Sequence, residues 1–269
     1  MSRIKSVFRK AKIQEQNPTV SDQESLLSSV WHQGQTRSPS FVQTSVVAVP
    51  VRKLLNNRLV AVADRDAASD QIKLLRTRVF QHTRSKGWNV IQVTGPGSNE
   101  GKSLIAVNLA ISIAMDTRQT TVLVDLNFRK PAVHQLLGLG PDLPGLKSYF
   151  LDETPLEDLF VSPGIKKLCV LPAGGSMPHP TELMGSPKME SLITELKGRY
   201  QDRYIIIDTP GINMCPDPVV ISEYVDAVIM VARIGHTSQD AVGTAVNRLP
   251  REKILGVVLN DAPPNELPR

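Results

Sequence analysis

The sequence predicts an α/β protein, a mostly parallel sheet flanked by helices and built around a phosphate-binding loop. Three observations predict it. Short runs rich in β-branched residues alternate with helical segments, the pattern of strands buried on both faces. A glycine-rich turn, Gly95-Pro96-Gly97-Ser98-Asn99-Glu100-Gly101-Lys102-Ser103, follows one such run and opens a helix. Two later apolar runs, Val122-Leu123-Val124 and Ile205-Ile206-Ile207, each end in an aspartate, Asp125 and Asp208.

The 269 residues are enough for one α/β domain of ordinary size with a tail. Charge divides them. Residues 1–60 hold nine Lys/Arg against three Asp/Glu, while the remainder holds 22 against 23. The basic excess therefore lies at the N-terminus, and the near-neutral remainder gives no general nucleic-acid-binding face, so nucleic acid is not expected as a partner. Within residues 1–13, Arg3, Lys5, Arg9, Lys10 and Lys12 interleave with Ile4, Val7, Phe8 and Ala11 at helical spacing. Two readings stand: a basic amphipathic helix touching an anionic membrane surface or a partner, or a solvated, frayed helix. Residues 14–50 are rich in Ser, Gln, Thr and Val without a period, as a linker is. The expected division is residues 1–58, basic helix and linker, and residues 59–269, the nucleotide-binding domain.

From residue 59 the elements follow in order. A helix is expected over Asp66–His82, with Ile72, Leu75 and Val79 on one face. A strand over Asn89–Thr94 leads into the glycine-rich turn and a helix from Lys102 to Met115. Further strands are expected at Thr121–Val124, Lys167–Leu171, Tyr204–Ile207, Ala227–Val231 and Ile254–Leu259. Ser186-Pro187 is a helix start, N-cap then proline at the first helical position, with Met189, Leu192, Ile193 and Leu196 as its buried stripe. Only Cys169 and Cys215 are present, so a disulfide framework is not expected. There is neither an apolar stretch long enough to span a bilayer nor a secretory signal pattern, and the expected location is cytoplasmic.

The turn explains itself chemically. Successive backbone N–H groups of Gly97, Ser98, Asn99, Glu100, Gly101, Lys102, Ser103 and Leu104 form an anion nest at a helix N-terminus. Lys102 reaches the β- and γ-phosphates of a triphosphate, and the Ser103 hydroxyl binds Mg²⁺. The strict spacing of such loops asks for glycine at position 96, which is Pro96, with Gly95 and Gly97 beside it. A carboxylate ending a parallel strand sits at the ligand edge of the sheet, so Asp125 and Asp208 join Ser103 as the expected Mg²⁺ residues. A single such aspartate is commonly a helix cap. The Asp208-Thr209-Pro210-Gly211 turn reads as a γ-phosphate switch or as an ordinary loop.

These motifs together resemble the bacterial tyrosine kinases of capsule and exopolysaccharide synthesis, especially the exosortase-associated autokinase-like proteins. The resemblance covers about residues 66–260. Thr94 to Ser103 is similar to that family's T-S-P-x-P-G-E-G-K-S, and Asn108-Leu109-Ala110 to its N-L-A. Asp125-Leu126-Asn127-Phe128-Arg129-Lys130-Pro131 resembles D-x-D-x-R-x-P. Leu171-Pro172-Ala173-Gly174 with His179-Pro180-Thr181-Glu182-Leu183-Met184 resembles L-P-A-G followed by N-P-x-E-L-L. The resemblance implies a P-loop NTPase fold of the deviant-Walker type that binds ATP and Mg²⁺. Lys102, Asp125, Asn127 and Asp208 would be the catalytic set, and Arg129 and Asn260 would join the nucleotide contacts, Asn260 near the adenine. It further implies a membrane polysaccharide co-polymerase, or chain-length protein, as partner, association with the inner membrane through that partner, and a homo-oligomeric ring. The ring-forming E-x-x-R-x-x-R helix is matched only in kind by Asp70, Lys73 and Arg76; a lysine does not reproduce a bidentate arginine contact.

Three departures separate the chain from that pattern. Asn127 stands where the family has its second aspartate, and an amide serves neither as a base nor as an anionic ligand. The tyrosines are Tyr149, Tyr200, Tyr204 and Tyr224, so no C-terminal cluster precedes Arg269. Pro210-Gly211 replaces the commoner Pro-Pro. The competing functions are a partition- or septum-positioning ATPase and a non-catalytic nucleotide sensor. The former group's signature lysine would lie five residues before Lys102, where this chain has Gly97. A GTPase lacks support, because no N-K-x-D motif reads guanine.

Overall fold

The computed structural model describes residues 45–63, 66–198 and 203–263. The basic segment 1–13, most of the linker 14–50 and Tyr200 lie outside the described residues. Eight strands form one sheet: β1 (Ser45–Val46), β2 (Val90–Gly95), β3 (Thr120–Asp125), β4 (Val161–Ser162), β5 (Leu168–Leu171), β6 (Arg203–Gly211), β7 (Ala227–Arg233) and β8 (Ile254–Asn260). Their order is β1-β4-β5-β3-β6-β2-β7-β8. All pairings are parallel except β4 with β5. After β2 the chain crosses to β3 on one side, and after β6 it crosses to β7 on the other. The sheet therefore changes direction around β2 and β6, and the crevice at such a reversal is where open α/β sheets take ligands.

The triple-apolar runs explain the centre of the sheet. Val122, Val124, Ile205 and Ile207 join one core with Leu171, Met189, Leu192, Ile193, Leu196 and Ile221. Strand residues alternate sides, so the buried Ile91, Val93, Leu123 and Ile206 face the other way. Nine helices accompany the strands among the described residues: α1 (Val51–Asn56), α2 (Ala67–Thr83), α3 (Lys102–Ala114), α4 (Val133–Leu136), α5 (Leu146–Leu151), α6 (Pro180–Met184), α7 (Pro187–Gly198), α8 (Asp217–Tyr224) and α9 (Gln239–Val246). Asp66 caps α2 by accepting from the Ala68 amide at 3.3 Å. Nearly all of α3 is buried, between β3 and β6 on one side and α2 on the other.

One boundary differs from the sequence reading. Residues 45–58, placed there in the linker segment, belong to the folded body. Val47 N donates to Ser162 O at 2.9 Å, Leu54 is fully buried, and Asn57 Nδ2 donates to Leu136 O at 2.8 Å. The buried Asn108 in α3 explains how the next residues are pinned. Its side-chain oxygen accepts from Ala61 N at 3.0 Å, and its amide nitrogen donates to Arg58 O and Leu104 O. A buried amide that meets all its partners is a specific joint. Neither cysteine is in a disulfide, and both are buried.

Candidate nucleotide site

Everything that points to chemistry stands at the carboxyl edge of the central strands. The loop from Gly95 to Gly101 is tight: Asn99 has φ +60° and Gly101 φ +89°, after which α3 begins at Lys102. Ser98 and Asn99 are exposed, whereas Glu100 and Lys102 are buried. Gly211, which stands where the family pattern has proline, has a steric reason. A Cβ there would come within 2.3 Å of Gly97 O. The loop is tied down on that side by Ile212 N to Gly95 O at 2.8 Å and Asn213 N to Pro96 O at 2.9 Å.

Parallel registry brings the two aspartates side by side, Asp125 at the end of β3 opposite Asp208, with β2 on the other flank of Asp208; β6 does not stop at Asp208 as expected but continues through Thr209 and Pro210 to Gly211. Both are fully buried. Ser103 Oγ donates to Asp208 Oδ2 at 2.6 Å, while Asp208 Oδ1 is buried with no hydrogen-bond partner among the described residues. Asp125 differs: Oδ1 accepts from Asn127 N at 3.0 Å, and Oδ2 accepts from Ala132 N and Val133 N, both at 3.2 Å. It anchors its own loop and the start of α4. Burial raises its pKa to about 6 against the pull of those amides. Burial, then the neighbouring Asp125 charge, pushes Asp208 well above the usual carboxylate range, opposed by Ser103 and Lys102.

Two buried carboxylates in register are costly without a cation. Among the described residues no group of three His, Cys, Asp or Glu forms a complete metal cage. The donor set, one or two carboxylates and a hydroxyl beside the glycine-rich loop, is the kind Mg²⁺ uses when phosphates and water complete its shell. The open Asp208 oxygen fits such an ion.

Asn127 Oδ1 accepts from Lys130 N at 3.2 Å and closes a turn. Arg129 is engaged with α8 rather than with the loop: Nε donates to Asp217 Oδ2 at 2.8 Å and Nη2 to Asp217 Oδ1 at 3.1 Å and Thr181 Oγ1 at 3.0 Å. Burial pushes the Asp217 carboxyl up, but the Arg129 and Thr181 hydrogen bonds outweigh it and leave its pKa below the ordinary value. Asn260, at the end of β8, donates from Nδ2 to Glu100 O at 2.9 Å and so supports the loop from below. The sequence reading did not single out Asp217, His236 or Thr237. His236 Nε2 lies 3.1 Å from Ser98 O, and Thr237 Oγ1 donates to Glu100 Oε1 at 3.3 Å. The Pro216-Asp217-Pro218 helix start was the one available signal, and it gives no partner.

No protein-family model matches the chain. The chain is 28% identical over 201 residues to the putative tyrosine-protein kinase CapB of Staphylococcus aureus, covering 74% of this chain and 86% of that one. It is 29% identical over 223 residues to the tyrosine-protein kinase YwqD of Bacillus subtilis, covering 82% and 87%. These matches are tyrosine-protein kinases of bacteria, each under 30% identical to this chain. It spans only 30% of the length of another, the tyrosine-protein kinase ptk of Acinetobacter johnsonii, at 28% identity over 84% of this chain. Among solved structures, the chimerical protein CapA2B2 superposes with a TM-score of 0.71 at 27% identity, covering 90% of this chain and 99% of that one. The fold is shared more widely. The septum site-determining protein MinD of Pyrococcus horikoshii, solved with Mg-ADP, has a TM-score of 0.53 at 20% identity, over 66% of this chain and 74% of that one.

Proposed function

We propose that the chain is an ATP·Mg²⁺-binding, tyrosine-kinase-like regulator of exopolysaccharide or capsule assembly, working with a membrane co-polymerase (chain-length) protein. The observation that carries the reading is the Ser103–Asp208 hydrogen bond at 2.6 Å, with the second Asp208 oxygen open beside the phosphate loop. In this role the loop amides of Gly97 to Leu104 and the Lys102 ammonium hold the triphosphate. Ser103 and Asp208 hold Mg²⁺, with Asp125 on the neighbouring strand. Arg129 and Asn260 act on the nucleotide through the loops they hold. The reaction class is phosphoryl transfer. A phenolic oxygen would attack the γ-phosphorus as the β–γ bridging bond breaks, and Lys102 would neutralise the charge developing on ADP; Mg²⁺, held by Ser103 and Asp208, would supply further positive charge there. Asn127 cannot take the phenolic proton, which leaves Asp125 as the nearby carboxylate.

Acceptor tyrosines are better sought on the partner. Of the chain's own tyrosines, Tyr204 is buried with its hydroxyl 2.9 Å from Thr83 Oγ1, Tyr149 and Tyr224 are half-buried against the core, Tyr149 beneath the Lys188 ammonium, and Tyr200 lies outside the described residues. No helix among the described residues is long and apolar enough to cross a membrane, so membrane association is assigned to the partner and to residues 1–13. A second reading is favoured by Asn127 closing a turn: a nucleotide sensor that binds without transfer. Incubation with ATP, Mg²⁺ and the co-polymerase, followed by phosphotyrosine mapping, separates the two. Transfer predicts labelled partner tyrosine that vanishes in Lys102→Ala and increases in Asn127→Asp. Nucleotide binding without label in wild type and Asn127→Asp leaves the sensor alone.

A further inference from the structure

Beneath the phosphate loop lies a carboxylate that the site as described does not use. Glu100 is 2% exposed. Its Oε1 accepts from Gly97 N at 2.7 Å and from Thr237 Oγ1 at 3.3 Å, and its Oε2 accepts from Lys102 Nζ at 3.1 Å. The Lys102 ammonium also donates to Gly97 O. The surroundings are shaped to admit the group: a Cβ on Gly95 would stand 2.5 Å from Glu100 Oε2 and 2.5 Å from Val231 O. The Glu100 backbone is fixed by Asn260 at the end of β8. Three elements thus converge on one acidic side chain. They leave it in contact with the loop cation, whose own side chain is 9% exposed.

A buried ammonium requires an opposing charge, and an ion pair screened this little by water is strong. Any polyphosphate entering the loop competes for the same ammonium and meets the carboxylate charge from behind. We propose that Glu100 is an internal anion that competes with bound polyphosphate for Lys102, so that residue 100 sets how tightly this site takes nucleotide. The inference rests on the reading that the loop binds nucleoside triphosphates, and it adds a determinant of affinity that lies outside the phosphate-contacting surface. Glutamine at position 100 keeps the shape and an acceptor for Gly97 N and Thr237 while removing the charge.

The test is calorimetric titration of Mg·ATP, and separately of inorganic tripolyphosphate, into the full chain as wild type, Glu100→Gln and Thr237→Val. Thermal melting confirms that each is folded. Glu100→Gln is expected to bind both ligands more tightly, on the order of tenfold, equally for the two because the base takes no part. Thr237→Val, which keeps the carboxylate charge but removes one of the donors satisfying it, strengthens its hold on Lys102 and shifts binding the other way by about twofold. Folded Glu100→Gln that binds equally or more weakly overturns the proposal. If that variant does not fold, unchanged or tighter binding by Thr237→Val does so instead. Wild type that takes up neither ligand overturns the nucleotide reading itself, and the proposal with it.

Discussion

Asp125 and Asp208 lie in register on neighbouring strands, yet their surroundings give them different work. Asp125 has three backbone amides on its oxygens; Asp208 has one hydroxyl and one open oxygen. The sequence placed both at the ligand edge because each follows a run of three apolar residues; β3 does end at Asp125, whereas β6 continues to Gly211. The sequence could not show which carboxylate is tied up, because that depends on how residues 126–133 turn back. The raised pKa of Asp125 has a definite sign. Folding favours its protonated form, so its contribution to stability is complete below the ordinary value of 3.8 and is lost as pH rises through about 6. Without Mg²⁺, the stability difference between wild type and Asp125→Asn should therefore shift in favour of the variant between about pH 4 and pH 7. Urea denaturation at several pH values reads this as a slope, independent of any constant offset from the altered hydrogen bonds. A flat difference would mean that the carboxyl ionises alike in the folded and unfolded chain.

At the scale of elements, the long strands and helices follow from their periodicity, and the strand ends fall within a residue or two of expectation except in β6. That strand runs from Arg203 to Gly211 because its pairing with β2 extends past Asp208. Helices of four to six residues, such as α4 and α5, escape a periodicity reading because they complete little more than one turn. Contacts between distant elements escape it too. Arg129 and Asp217 are 88 residues apart, and only the fold brings them within 2.8 Å. Their pair joins the loop after β3 to α8, and Thr181 brings in α6. Asp217 is nearly fully buried while Arg129 keeps 43% of its side chain exposed, so solvent moderates the pair. Asp217→Asn is expected to cost about 1–2 kcal/mol in urea denaturation at pH 7. Because the Asp217 pKa is depressed, the stability it supplies is present above 3.8 and fades as pH falls below that value, so the cost should shrink in acid. A cost that persists undiminished at low pH would assign it to packing instead of charge.

For the whole molecule, the sheet order places β2 and β6 at the reversal point and so gathers loop, hydroxyl and carboxylates at one edge. That much was legible from the alternation of strands and helices and from the loop itself. The limits of the folded body were not. Residues 45–58 contribute only a two-residue strand and one short helix, too little pattern to distinguish from a linker, yet Val49 and Leu54 are buried. A chain beginning at residue 59 exposes the surface these side chains cover and should melt at least about 5 °C below one beginning at residue 45. Equal melting temperatures would return the segment to the linker. The account as a whole rests on a Mg²⁺-dependent triphosphate site organised by Ser103 and Asp208. Its most direct test is titration of ATP, with and without Mg²⁺, into folded wild type and Asp208→Asn. The account predicts uptake by wild type that strengthens at least tenfold with Mg²⁺, and loss of that strengthening in the variant. Uptake that ignores Mg²⁺, or an Asp208→Asn chain that responds to Mg²⁺ as wild type does, would contradict it.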